Sequence, residues 1–234
     1  MAAENRLWGA KRIRGELLKL GLTVSKSVIQ KYMHQGRPPR TSGQGWSTFL
    51  HNQAEAIWAC DFLQITDVFF RSLFAFVIVE LGSRRVVHVG VTRHPSDEWV
   101  AQHLREATPF GPWPKYLIRD NDDKYGSRFA NVASGAHLEV LTTPLQAPRA
   151  NAVVERFIGS VRRECLDWIL IWGEGHLRRV LRACVEYFNT ERPHQGLNQR
   201  IPLPALPRAV APPAGRVVAC PILGGLHHAY AWAA

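Results

Sequence analysis

IWACDFLQIT, residues 57–66, sets a carboxylate against an apolar run: Asp61 closes IWAC inside a stretch whose apolar and β-branched residues read as a strand. The pattern recurs twice. Asp120 closes YLIR at 116–119, and Glu155 lies one helical turn inside NAVVERF at 151–157. Burying an unpaired charge costs on the order of several kcal/mol, so acidic groups at the ends of buried segments need a partner. A divalent cation is such a partner, because three carboxylates crowded without one repel and raise one another's pKa. Phosphodiester transfer by two Mg²⁺ ions about 3.5–4 Å apart needs oxygen ligands that bridge and flank them. The competing reading is structural: Asp61 caps a turn, and Asp120 opens the loop NDDKYG at 121–126.

Around Asp61 the order of elements is strands first, then helices. Residues 57–66, 73–81 and 85–91 are apolar, β-branched runs broken by short polar turns, which predicts a three-stranded meander. Ser96 caps a predicted helix through Leu104; a short strand follows at 116–119, a helix at 125–133, a strand at 138–142, and longer helices at 151–170 and 175–189. The fold class expected is α/β, a mixed sheet flanked by helices. At about 100° per residue, Val154, Phe157, Ile158, Val161, Cys165 and Trp168 form one stripe of the 151–170 helix, while Asn151, Glu155, Gly159 and Arg162 share an adjacent face. Glu155 therefore points away from that helix's core stripe. Arg156, Arg162 and Arg163 surround it with positive charge, and Gly159 leaves room for a phosphate backbone. A solvated glutamate on a basic helix is the plainer alternative.

Composition adds a partner class. The 234 residues carry 29 Lys plus Arg against 19 Asp plus Glu, a formal charge of +10, with 46% apolar content. That describes a folded protein and favours a polyanionic partner such as nucleic acid, though a basic surface alone equally suits a ribosome-associated or membrane-skimming protein. Cys60, Cys165, Cys184 and Cys220 form no CxxC pair, which removes zinc-finger and thioredoxin-like readings and leaves small core hydrophobes in a reducing compartment. No apolar stretch reaches the roughly 20 residues that span a bilayer, and the N-terminus lacks a secretory signal. A cytoplasmic location without membrane attachment is expected.

Towards the N-terminus, residues 1–34 are basic and helical in pattern. Ile13, Leu17, Leu18 and Leu20 stand at helical spacing, Gly21 ends that segment, and Ser25 caps a second one carrying Val28, Ile29, Tyr32 and Met33. Its polar face, with Lys26, Ser27, Gln30, Lys31 and His34, suits either the recognition helix of a helix-turn-helix or an ordinary basic hairpin. Residues 35–50 contain the linker QGRPPRTSGQG; 51–200 form the core domain; 201–234 form a Pro-rich C-terminal tail whose last part, VVACPILGGLHHAYAW, suits one or two docked strands. His194, in ERPHQGL, contacts DNA phosphate or caps a helix end. Trp46 and Trp58 read as packing residues, Glu80 as a salt-bridge partner of Arg84 or Arg85, and His227 and His228 as no site.

The order Asp, Asp, Glu, with the phrases IRDN, PRANAVVERF and YFNTERPHQGL, resembles the DDE-type integrase core of bacterial insertion-sequence transposases and retroviral integrases over residues 46–200. The segment LWGAKRIRGELLKLGLTVSKSVIQKYM resembles the helix-turn-helix that precedes this core in many insertion-sequence transposases. The resemblance implies an RNase H-like mixed five-stranded sheet flanked by helices behind a small N-terminal helix-turn-helix. It implies Asp61, Asp120 and Glu155 as catalytic residues holding two Mg²⁺ or Mn²⁺ ions; from their own positions, Arg156, Arg162, Arg163, His194, Lys26, Gln30 and Lys31 are the DNA-binding candidates. The implied activity is metal-dependent DNA strand cleavage and strand transfer without a covalent enzyme intermediate. Its partners would be double-stranded transposon ends and target DNA, bound by a homodimer or higher oligomer at a bacterial nucleoid. Two departures stand out: 34 residues separate Asp120 from Glu155, one fewer than in many relatives, and Asp122 occupies a frequent glycine position, so Asp122 or Asp123 competes for the metal. The short N-terminus fits a truncated copy or the downstream part of a split frame. Two other functions share the sequence: a catalytically idle DNA-binding remnant or regulator, and an RNase H-like nuclease that cuts without joining.

Overall fold

The computed structural model describes residues 9–35, 46–109, 113–142, 151–203 and 215–233. Two compact units divide the chain, Met1–Gln44 and Gly45–Ala234. In the first, α1 (Ala10–Lys19) and α2 (Lys26–Gln35) pack through Ala10, Ile13 and Ile29, with Leu17, Val24 and Met33 against them. Gly21 supplies a positive φ of 76° at the turn, and the Val28 N–H donates to Ser25 Oγ at 3.3 Å. Leu18, Leu20, Val28 and Tyr32 are exposed, unlike the expected apolar faces. A two-helix pair gives each helix a single contact stripe, so apolar residues flanking that stripe stay in solvent. Lys26, Gln30 and Lys31 are also exposed.

The second unit begins earlier than the expected boundary at 51. Residues 36–45 lie outside the described residues, but Trp46–Asn52 is a helix, α3, whose Trp46, Phe49 and Leu50 pack on the core below. Those three stand at i, i+3 and i+4, the spacing of one helix face. The elements that follow are β1 (Ile57–Thr66), β2 (Ser72–Glu80), β3 (Val86–Thr92), α4 (Asp97–Ala107), β4 (Tyr116–Arg119), α5 (Ser127–Gly135), β5 (Glu139–Thr142), α6 (Ala152–Glu164) and α7 (Glu174–Thr190). The sheet order is β3-β2-β1-β4-β5, with β1 to β3 antiparallel and β4 and β5 parallel to β1.

Alternation along β1 divides the core. Ile57, Ala59, Leu63 and Ile65 face α6 and α7, joining Val154, Phe157, Val161, Leu177 and Leu181. Trp58 and Cys60 face α4 and α5, joining Val100, Leu104, Phe129 and Ala133. The period of two makes Asp61 share the α6 side with its neighbours Ala59 and Leu63. The helix expected over 151–170 stops at Glu164; Cys165 has non-helical geometry (φ −136°, ψ −65°) and is buried in the core. Trp168, expected in the stripe, is exposed and donates its indole N–H to the Arg163 carbonyl at 2.8 Å. Cys60, Cys165 and Cys184 are buried free thiols and Cys220 is exposed.

The phrase YFNTERPHQGL proves to be a fastening. Buried Asn189 accepts from the Val86 N–H and donates to the Val86 carbonyl, both at 2.9 Å, which ties α7 to β3. Arg192 grips Glu164 at the end of α6 with contacts of 2.8 and 2.6 Å. Asn189→Leu is expected to destabilise the fold by about 2–4 kcal/mol, since both Val86 groups lose their partner inside the core. A urea midpoint within error of wild type would contradict this.

Asp67, buried after β1, organises the turn into β2. Burial alone would raise its pKa, but the N–H groups of Arg71 and Phe69 and the Arg93 guanidinium, each at 2.9 Å, hold it at about 2. An unfolded aspartate titrates near 3.9. The folded value is the lower one, so this contribution to stability is complete above about pH 4 and disappears as pH falls towards 2. Asp67→Asn is expected to flatten that acid limb in urea midpoints measured against pH; identical limbs in variant and wild type would refute the assignment.

The C-terminal residues are more than a proline-rich tail. Residues 204–214 lie outside the described residues, while β6 (Val217–Ile222) and β7 (His227–Trp232) form an antiparallel hairpin. His227 Nε2 lies 2.7 Å from the Glu164 carbonyl and its ring stacks on Tyr187 at 4.9 Å, fastening the hairpin to the ends of α6 and α7. Among the described residues, no helix is long and apolar enough to cross a membrane.

Candidate active site

Pairing of β1 with β4 fixes where the first two carboxylates stand. The parallel register matches Ile57 with Tyr116, Trp58 with Leu117 and Ala59 with Ile118. Continued by two residues past the last bonded pair, it sets Asp61 level with Asp120, on neighbouring strands about 4.8 Å apart. Asp61 lies within β1 rather than at its end, whereas Asp120 directly follows β4. Glu155 is exposed in the first turn of α6, beside Val154 and Phe157, which bury against the same side of β1. A glutamate there also suits the positive end of the helix dipole.

Asp61 feels the charge of both other carboxylates. Burial raises the Asp61 carboxyl to about 6; the Phe62 N–H, at 2.7 Å, opposes this, while the negative charges of Asp120, Glu155 and Asp122 add to it. Asp120 is likewise raised, first by burial and then by Asp122. Its Oδ1 is buried with no hydrogen-bond partner. A pair of strained carboxylates and an orphaned carboxylate oxygen, all hard donors, fit Mg²⁺ or Mn²⁺. Among the described residues, the one trio of potential ligand atoms mutually within 4.8 Å is His88, His103 and Glu106 rather than these three.

Asp122 is committed elsewhere. Its Oδ2 meets Lys124 Nζ at 2.6 Å and its Oδ1 accepts the Lys124 N–H at 3.0 Å; burial would raise its pKa, but these bonds lower it. Asp123 is exposed. Glu80 pairs with Arg85 at 3.4 Å, as expected of it.

The basic residues named from sequence separate into different places. Arg156, Arg162 and Arg163 are exposed on α6. Arg162 donates to the Gln64 carbonyl at 2.7 Å, so part of its donor set fastens α6 to β1. Arg163 lies across Gly159, its Nη1 at 3.1 Å from where a Cβ would stand, and fills the space expected to admit a phosphate backbone. Arg156 and Arg163 line one groove with Arg84 and Arg192. His194 is buried, its Nε2 lies 3.0 Å from the Phe188 carbonyl, and its ring stands edge-on to Phe188 at 4.2 Å. Of its two readings, the helix-end one has these contacts at α7, and His194 also lines the groove of Arg156 and Arg163. The sequence reading missed His88, His103 and Glu106; the i, i+3 pair His103 and Glu106 on one helix face was the available signal.

The description "Integrase core domain" belongs to the family model that matches residues 138–202, the segment holding Glu155 and the fastening phrase. The 31.7 kDa protein of insertion element IS407 from Burkholderia multivorans is 25% identical over 213 residues, covering 86% of this chain and 76% of that protein. The 39.2 kDa protein of insertion element IS476 from Xanthomonas euvesicatoria is 25% identical over 211 residues, and the chain spans 61% of its length. The HTLV-2 integrase catalytic core domain, solved in complex with magnesium in a trimeric form, superposes with a TM-score of 0.52 at 15% identity, over 63% of this chain and 93% of that one. The fold is thus the RNase H-like one of retroviral integrase cores. The resemblance to DDE-type integrases and transposases rests on the family model and the two insertion-element relatives, and the viral core bears on the fold.

Proposed function

We propose that this chain is a transposase or integrase that cleaves a DNA strand at the end of a mobile element and transfers the freed 3′-hydroxyl into target DNA. Asp61, Asp120 and Glu155 are its catalytic carboxylates and the ligands of two Mg²⁺ or Mn²⁺ ions. The observation that carries this reading is the β1–β4 register, which levels Asp61 with Asp120 on the side of the sheet that α6 covers with Glu155. The insertion-element relatives and the magnesium-bound viral core support it.

Bound divalent ions would supply activation of the attacking oxygen and charge neutralisation on the leaving one. The chain supplies the rest. Asp61 sits on β1 and Asp120 directly after β4, so the pairing of those two neighbouring strands brings the two carboxylates to the same level of the sheet. In the first step water attacks phosphorus and the bond to the 3′-oxygen breaks. In the second that 3′-hydroxyl attacks a target phosphate and expels a target 3′-oxygen. One phosphodiester forms for each one broken in joining, so no nucleotide cofactor is consumed. Arg156 and Arg163 hold the DNA backbone beside Glu155, and Lys26, Gln30 and Lys31 offer a second DNA contact on α2. Joining two ends requires at least two copies.

Incubation of purified protein with Mg²⁺ and a labelled element end separates the readings. Strand-transfer product supports the proposal, cleavage alone supports a nuclease, and salt-sensitive binding without turnover supports an idle DNA-binding remnant.

A further inference from the structure

A β-bulge re-aims one histidine of β3. Val79 pairs with Val86 but Ile78 pairs with His88, so Val87 is the extra residue and His88 turns to the face covered by α4, opposite the α6 side of the sheet. There it meets His103 and Glu106 of α4. His88 Nε2 is 2.7 Å from His103 Nδ1; Glu106 Oε2 is 3.1 Å from His103 Nδ1 and 3.8 Å from His88 Nε2. We propose that His88, His103 and Glu106 form a site for Zn²⁺ or another imidazole-preferring transition ion, separate from the acidic site, that clamps α4 to β3.

The dimensions fit. Zinc–ligand bonds of ~2.0–2.1 Å arranged tetrahedrally put neighbouring ligand atoms roughly 3.3 Å apart, and the three separations bracket that value. A single proton bridges one of these contacts well, whereas a cation accepts all three lone pairs at once. Two imidazole nitrogens and a carboxylate are a borderline donor set that suits zinc and disfavours magnesium. The ligands are also held in place. The His103 ring packs so closely on Gly90 that a Cβ there would stand 2.6 Å from it, and it stacks edge-on with Trp99 at 4.0 Å. Gln102 donates to Glu106 Oε1 at 3.2 Å, leaving Oε2 to face the histidines. Burial keeps both imidazoles towards the neutral, metal-binding form. Arg178 opposes a cation from α7, and the Glu106 carboxylate offsets it. Glu106 is 46% exposed on its side chain, so the fourth position opens to water.

Co²⁺ titration of the tag-free full chain tests this. The expected result is a visible d–d absorption of a low-coordinate ion, bleached by stoichiometric Zn²⁺ and indifferent to about a hundredfold excess of Mg²⁺. His103→Gln and His88→Gln should abolish it, Glu106→Gln, on the exposed side, should weaken Co²⁺ binding by about tenfold or more, and Asp61→Asn should leave it unchanged. Zn²⁺ should raise the melting temperature of wild type and not of His103→Gln, with circular dichroism checking that each variant is folded. No visible band at millimolar Co²⁺, a band that survives His103→Gln, or one lost in Asp61→Asn overturns the proposal.

Discussion

Replacing Asp61, Asp120 or Glu155 by its amide is expected to lower strand-transfer turnover by about a thousandfold or more while DNA affinity changes only a few-fold. The amide keeps shape and loses charge, so the effect isolates electrostatics. A thousandfold corresponds to about 4 kcal/mol of transition-state stabilisation. For Asp61 the substitution also removes a charge that burial and its acidic neighbours make costly in the folded protein. Asp61→Asn should therefore fold as well as wild type, or better, while losing activity. That combination separates a functional carboxylate from a structural one. Single-turnover rates with Mg²⁺, set beside DNA binding by anisotropy, read both quantities. Near-normal turnover in Asp120→Asn would move the second ligand to Asp123, since Asp122 is held by Lys124.

DNA binding should be steeply salt-dependent. If six to ten phosphates are neutralised, raising salt from 50 to 200 mM weakens binding by about 10³–10⁵-fold. The +10 formal charge is compatible with such a footprint, and Arg156 and Arg163, which line one groove, are the residues expected to supply part of it. Arg84, in the same groove, has its pKa lowered by burial and by Arg156, two cations that a phosphate between them would relieve. The double replacement Arg156→Gln with Arg163→Gln should flatten the log–log salt slope by about two units. Replacing Arg192 should act mainly on stability instead, because its guanidinium is already held by Glu164. An unchanged slope in the double variant would take α6 out of the DNA interface.

Runs of β-branched and apolar residues made the sheet legible: β1 and β4 have the bounds read from sequence, and the mixed order follows from strands preceding helices. What escaped were features set by tertiary contacts. The break at Cys165 has no local signal: the residue is buried, as a continuing helix would also have placed it, but with non-helical φ and ψ. The helix at Trp46–Asn52 was hidden by the Gly- and Pro-rich residues before it, although its apolar spacing was readable. His194 was left between a phosphate contact and a helix cap because the carbonyl it meets, that of Phe188, belongs to a helix end created only by folding. The three carboxylates were nameable because charge against an apolar run is conspicuous. The histidine cluster was not, because a one-residue bulge decides which way His88 faces.

The most direct measurement is a crystal structure with Mn²⁺, located by its anomalous scattering. The account predicts metal shared by Asp61 and Asp120 with a Glu155 oxygen as a further ligand. Metal found only at other side chains, or Glu155 held out of coordinating distance in the DNA-bound protein, would contradict it.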